Sequence, residues 1–115
     1  MSWANLPFKI GNFECIAISD GTFTYAPPTF PPPALFLFTN ASKGRLEQVL
    51  REYSFQSEHW AEWTSPYICL VINTGKHKVL VDTGADGLGP KTGKLVHNLK
   101  AEGISPRDID TVIIT

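Results

Sequence analysis

Asp82 stands where the apolar run Val79-Leu80-Val81 stops and Thr83-Gly84 turns the chain. A carboxylate there cannot face an apolar core unpaired. It either caps its own turn through backbone N–H groups or braces a ligand-bearing loop on the next strand, because such loops lie just past the strand ends of a rigid scaffold. The next strand-like run, Ile109-Asp110-Thr111-Val112-Ile113-Ile114-Thr115, brings the sequence to its last residue. The chemistry such a strand would deliver is expected beyond Thr115.

Other chemistry-bearing residues give weaker patterns. The histidines, His59, His77 and His97, are well separated, whereas a metal site needs three or four convergent ligands. His59 and Glu62 could share one helical turn, which is a lone pair and no site. No serine has a nucleophile-elbow context, and neither cysteine has a histidine nearby in sequence. Cys15 and Cys69 both fall in strand-like runs and read as buried thiols. The loop from Gly84 to Lys94 is rich in glycine but does not fit a phosphate-binding motif. Gly93-Lys94 would need glycine at position 88, which is Leu88, and Ser or Thr at position 95, which is Leu95. The order of Gly84, Gly87 and Gly89 also fails the dinucleotide spacing.

The elements that must position Asp82 are mostly strands. Phe8-Lys9-Ile10, a Gly11-Asn12 turn and Phe13 to Ile18 read as a hairpin. Ser19-Asp20-Gly21 reads as a second turn, with Thr22 to Tyr25 pairing back across it. Tyr67 to Asn73 is a near-continuous apolar strand, and Lys78 to Asp82 returns as its partner after Thr74-Gly75-Lys76-His77. Lys94 to Glu102 reads as a helix that buries Leu95, Val96 and Leu99 and ends at Gly103. Ser105-Pro106-Arg107-Asp108 is a capped helix start with room for about one turn.

Between these lies a different stretch. Pro27, Pro28, Pro31, Pro32 and Pro33 rule out helix and regular ladder pairing. Phe30, Leu35, Phe36, Leu37 and Phe38 are too apolar for a solvated linker. This segment either packs over a core edge or, through Phe30, Leu35, Phe36 and Phe38, walls a substrate pocket or a dimer contact. Asn40-Ala41-Ser42 matches a glycosylation acceptor, which is idle without secretion, and it is expected to cap the next helix. Leu46, Val49, Leu50 and Tyr53 then mark one buried helical face. The element type of residues 54–65 is open.

Composition sets the frame. The 115 residues suffice for one core, and 43% hydrophobic against 18% charged residues describe a globular chain. Ten Lys and Arg against eleven Asp and Glu give a net charge of -1, so no basic face points to nucleic acid. Met1 to Pro7 lacks the charged and apolar regions of a signal peptide, and the longest apolar run is too short to span a membrane. A reducing, cytoplasmic setting is expected.

The run Val79 to Gly84, the glycine-rich loop, the helix, Gly103-Ile104, Ile109-Asp110 and Thr111 to Thr115 resemble the metallo-β-lactamase superfamily. Ile10 to Glu14, Ser19-Asp20-Gly21-Thr22, the proline-rich segment and Asn40-Ala41 are similar to the branch of methyl-parathion-hydrolase-like enzymes and quorum-quenching lactonases. The resemblance implies an α/β fold of α+β layering. It would be the N-terminal half of an αββα sandwich, a mostly antiparallel or mixed sheet with flanking helices. Residues 1–115 would form a single incomplete domain. In the family the last strand runs into a His-x-His-x-Asp-His motif, whose residues help hold two divalent metals, usually zinc. A metal-bound hydroxide then attacks a carbonyl or phosphoryl centre. None of those ligands is in this sequence, so no metal is expected in this chain alone. Asp82 matches the family's strand-end aspartate, which supports the metal loop from behind the ligands.

The expected parent activity is therefore hydrolysis of a lactone, ester or phosphotriester, a small-molecule substrate, with these residues inactive alone. An unpaired apolar sheet face and edge would make the chain self-associate or form a homodimer. Two rivals remain. One is a non-catalytic short protein using the half-fold for binding or dimerisation. The other is a small enzyme assembling a metal site between subunits from His59, His77, His97 and acids.

Overall fold

The computed structural model describes residues 4–115; Met1 to Trp3, part of the segment read as lacking a signal, lie outside them. Five strands form one sheet in the order β1-β2-β3-β4-β5. They are β1 (Asn5–Ile10), β2 (Phe13–Tyr25), β3 (Trp63–Asn73), β4 (Lys78–Val81) and β5 (Thr111–Ile113). β1 pairs antiparallel with β2, matching Phe8 to Cys15, and β3 pairs antiparallel with β4, matching Val71 to Leu80. β5 lies parallel to β4, with Val79, Leu80 and Val81 opposite Thr111, Val112 and Ile113. A parallel pair needs a crossover, and the helix α3 (Leu95–Ala101) supplies it. The result is a mixed sheet with helices, the α+β class expected from the sequence.

The chain divides into two compact units, residues 24–65 and the rest. In the sheet unit the core is Ile18, Cys69, Val71, Leu80, Leu95, Leu99 and Ile104, with Ile16 and Ile109 packed against it. Alternation along β3 explains the choice, because Cys69 and Val71 point to one face and Ile68 to the other. Leu95 and Leu99, four apart on α3, cover the first face. Val96, expected inside, is 48% exposed, because it sits about 100° round the helix from Leu95. Cys15 and Cys69 are both buried free thiols.

In the 24–65 unit, Pro33–Leu37 forms a short helix, α1, where the prolines argued against one. Pro33 occupies the first turn, where its missing N–H costs nothing and its fixed φ suits the helix. Tyr25 stacks on Trp63 with ring centroids 5.1 Å apart, and Phe30 and Phe36 close the cluster at 4.9 and 5.6 Å from Tyr25. The helix α2 (Lys43–Glu52) begins after Ser42, whose side chain makes no capping bond. Its apolar stripe is only half-buried, and Tyr53, past the helix end, is 76% exposed. Within 54–65, Ser57–His59 is a single 3₁₀ turn.

A further departure concerns Asp20. The turn expected at Ser19-Asp20-Gly21 is absent, and β2 runs unbroken from Phe13 to Tyr25. Gly21 has φ +116, yet the chain stays extended in pairing. The carboxylate that would have made a local turn is bonded elsewhere.

Candidate functional site

At the C-terminal ends of β4 and β5, beside the middle of the antiparallel β3, the sheet unit opens into a cleft of 350 Å³. Asp82, Thr83 and Gly84 line it just past β4, Ile114 and Thr115 just past β5, and Tyr67 to Cys69 from β3. Asp82 has left the strand: its φ is +63, a left-handed conformation that Asp tolerates better than most residues. Its N–H still donates to the Ile113 carbonyl at 2.8 Å, extending the β4–β5 ladder by one step.

The left-handed turn aims the Asp82 carboxylate across the cleft at Thr115. The Thr115 N–H donates to Oδ1 at 2.9 Å, and the Thr115 hydroxyl lies 3.0 and 2.8 Å from Oδ1 and Oδ2. These bonds, the Thr115 amide first and its hydroxyl second, hold the Asp82 carboxyl below its ordinary value of 3.8. Asp82 is therefore anionic at neutral pH and is committed to the chain leaving β5. The carboxylate bonds Thr115, the residue that follows β5 and Ile114.

Cys69 sits beside it. Burial raises the thiol above its ordinary 9.0, the Asp20 and Asp82 charges add to this, and a hydrogen bond from the Gly84 amide opposes it. A thiol held protonated in this way is no nucleophile at neutral pH.

The loop behind the cleft is built around a second carboxylate. Asp20 is 1% exposed. Ala85 N–H donates to Oδ2 at 2.7 Å, Gly93 N–H to Oδ2 at 3.3 Å, and Leu95 N–H to Oδ1 at 2.9 Å. Its own carbonyl accepts from Lys94 N–H at 3.0 Å. A glycine-rich loop running into a helix start is a cradle for an anion, and here the anion is the protein's own. Thr92 ties the loop's middle: its hydroxyl lies 2.6 Å from the Asp86 carbonyl and accepts from Gly89 N–H at 3.0 Å. Gly84 must be glycine, because a Cβ there would lie 2.4 Å from Asp20 Cγ at φ +81.

The sequence reading missed Asp20. Its one signal was that an acid on a half-buried strand must find donors. The other candidates are dispersed. His77 lies in the β3–β4 turn, with Nδ1 3.1 Å from Asp110. His59 belongs to the 3₁₀ turn of the 24–65 unit, and His97 is exposed on α3. None of them lines the strand-end cleft. Among the described residues no group of three or more His, Cys, Asp or Glu could hold a metal ion. The residues present thus do not make up a metal site by themselves. Among them, too, no helix is long and apolar enough to cross a membrane.

The proline-rich wall divides. Leu35 and Phe38 line a cleft of 510 Å³ within the 24–65 unit, together with Leu46, Lys43, Glu47 and Glu58. Phe30 and Phe36 instead belong to the aromatic cluster around Tyr25. Glu58 is held below its ordinary value of 4.5, chiefly by a backbone hydrogen bond.

Comparison with known proteins bears on the fold. No curated protein matches the chain. Among solved structures, AidC, a dizinc quorum-quenching lactonase in complex with a product, superposes with a TM-score of 0.72 at 19% identity, over 96% of this chain and 35% of that one. The hydrolase AbOPH of the beta lactamase superfamily superposes with a TM-score of 0.70 at 24% identity, over 99% of this chain and 36% of that one. The chain thus spans about a third of the length of these structures and shares their fold over that third. Residues 65–115, which carry β3, Asp82, the anion cradle and β5, match the family model of the metallo-beta-lactamase superfamily.

Proposed function

We propose that these residues are the N-terminal part of a larger metal-dependent hydrolase acting on a lactone, ester or phosphotriester. We place it in the branch that holds methyl-parathion-hydrolase-like enzymes and quorum-quenching lactonases. Residues 1–115 then form one incomplete domain that is inactive alone. The single observation carrying this reading is the Asp82–Thr115 contact, in which a strand-end carboxylate holds both the amide and the hydroxyl of the residue leaving β5. A carboxylate spent in this way orients a loop rather than attacks a substrate. The likeness to a dizinc lactonase and to a hydrolase, each about three times as long, supports the same reading. Two divalent metals, zinc by preference, would take their ligands from residues following Thr115.

The test is made on the full coding region of the native gene. Its product, loaded with zinc, is assayed on an acyl-homoserine lactone, an aryl ester and a dialkyl aryl phosphate. Metal-dependent turnover of one class, lost on chelation, is the expected result. A gene product that binds no metal and hydrolyses none of the three would overturn the reading.

One observation favours a second reading, a non-catalytic module that pairs with itself. Val112, Ile113 and Ile114 are all about half exposed or more, on an edge strand with no proline or lysine to guard it. Light scattering on the gene product decides: a metal-free dimer with no hydrolytic activity supports this reading, and a monomer removes it.

A further inference from the structure

The loop between β4 and α3 could leave Asp82 in many directions. Three observations fix one of them. The Ala85 N–H, the Gly93 N–H and the Leu95 N–H converge on one buried carboxylate, that of Asp20. Gly84, the second residue after Asp82, has its Cα face against that carboxylate with no room for a methyl group. Asp20 itself is held in place on β2: its carbonyl takes the Lys94 amide, while the Asn98 side chain donates to the Ser19 carbonyl at 2.7 Å. The two ends of the loop are thus tied to one point on a neighbouring strand. Only Thr83 and Gly84 separate Asp82 from the Ala85 anchor, too few residues to absorb a shift in it.

We propose that Asp20 is a positioning residue for the strand-end cleft: by gathering the Ala85, Gly93 and Leu95 amides it sets the path of the chain out of β4 and thereby aims Asp82 at Thr115. The proposal rests on the reading of that cleft as the functional site, but its geometry can be tested without activity. Asp20 is buried and does not line the cleft, so its role there would run through Asp82. Replacing it by asparagine keeps the size of the side chain. It puts an NH₂ group against an N–H donor, so at least one anchor is lost.

The experiment follows the Asp82 carboxyl by carbon NMR through an acid titration of the full gene product, in three forms. In the unaltered protein Asp82 titrates below the ordinary carboxylate range. In Asp20→Asn its midpoint is expected to move back toward that range, and the Thr115 amide to exchange with solvent at least tenfold faster. Thr92→Val is the control, since it loosens the middle of the same loop without touching Ala85. Asp82 is expected to titrate there as in the unaltered protein. If Asp20→Asn leaves Asp82 and Thr115 unchanged, or Thr92→Val moves them as much, the positioning role is wrong and Asp20 only stabilises the loop. Should Asp20→Asn not fold, Gly84→Ala presses the same contact from the loop side and must move the Asp82 midpoint in the same direction. Zinc binding and hydrolysis are measured alongside. Their absence in the unaltered protein with the Asp82 shift present would sink the hydrolase reading and leave the positioning intact.

Discussion

Asp20, within β2, and Asp82, one residue past β4, both bond distant parts of the chain, yet they belong to opposite kinds of structure. Asp20 is sealed inside, and each of its donors is a backbone amide of one loop. Asp82 lines an open cleft, and its donors come from a single residue just past the end of β5. A buried carboxylate with three amide partners is part of what makes the loop fold. A cleft carboxylate with one partner contributes little to folding and much to where that partner stands. The difference is one of solvent access and of what the donors are otherwise tied to, one loop for Asp20 and the chain leaving β5 for Asp82.

The comparison breaks most visibly at Asp20. Asp20→Ala leaves one buried amide, that of Leu95, and two part-buried ones, those of Ala85 and Gly93, without an acceptor, and the expected loss is about 2–4 kcal/mol of unfolding free energy. Urea unfolding checks this through the midpoint at unchanged slope. A loss under about 1 kcal/mol would mean that water reaches the cradle and that Asp20 is no more architectural than Asp82. Gly84→Ala attacks the same contact from the other side. The left-handed backbone and the contact with Asp20 Cγ together predict a loss of about 2–3 kcal/mol. The double variant Asp20→Ala, Gly84→Ala should lose less than the sum, because the methyl group then enters vacated space.

Asp82→Ala sharpens the other side. It is expected to leave the melting temperature of the protein nearly unchanged and to lower zinc affinity or hydrolysis in the full gene product by about 10–100-fold. Thermal unfolding with and without zinc separates the two effects. A large fall in metal-free stability would place Asp82 with Asp20 among the architectural residues.

How much of this was legible follows from the same contrast. β3, β4, α3 and the capped turn at Ser105 were readable because each obeys a local rule: apolar alternation, a helical stripe closed by Gly103, and a capping box that the structure shows on both sides. Asp82 was readable as a candidate because a carboxylate ending an apolar strand is locally anomalous. Asp20 was misread as a turn because Asp-Gly is a good local turn signal, and the donors that overrule it lie 65 to 75 residues away. The helix at Pro33 was misread because five prolines outweighed the one position where proline favours a helix. Tyr53 followed the periodicity of α2 but falls one residue beyond its end, where the helical face no longer exists. Local rules failed wherever a contact distant in sequence, or an element's exact end, decided the outcome.

The smallest expected effect concerns the other end of β5, where Asp110 mirrors Asp82. Asp110 accepts from the Lys78 N–H at 2.9 Å, the Thr111 hydroxyl at 2.7 Å and the His77 ring at 3.1 Å. Its carboxyl is held below 3.8, first by the Thr111 hydroxyl, then by the Lys78 amide, with the hydrogen bond and the charge of His77 adding to them against desolvation. A carboxyl whose folded value is depressed adds stability that is fully present above its unfolded value and is lost as the pH falls through the lower folded one. Asp110 and Asp82 should therefore hold both ends of β5 through mild acid and release them only below the ordinary carboxylate range. The order of causes makes a finer prediction: Thr111→Val should raise the Asp110 midpoint more than His77→Asn does, as read from the side-chain carboxyl carbon. If His77→Asn moved it more, the exposed ion pair across the hairpin turn would be the anchor. β5 would then be fixed at its start by a contact that salt screens, and at its end, through Asp82, by hydrogen bonds that salt leaves in place.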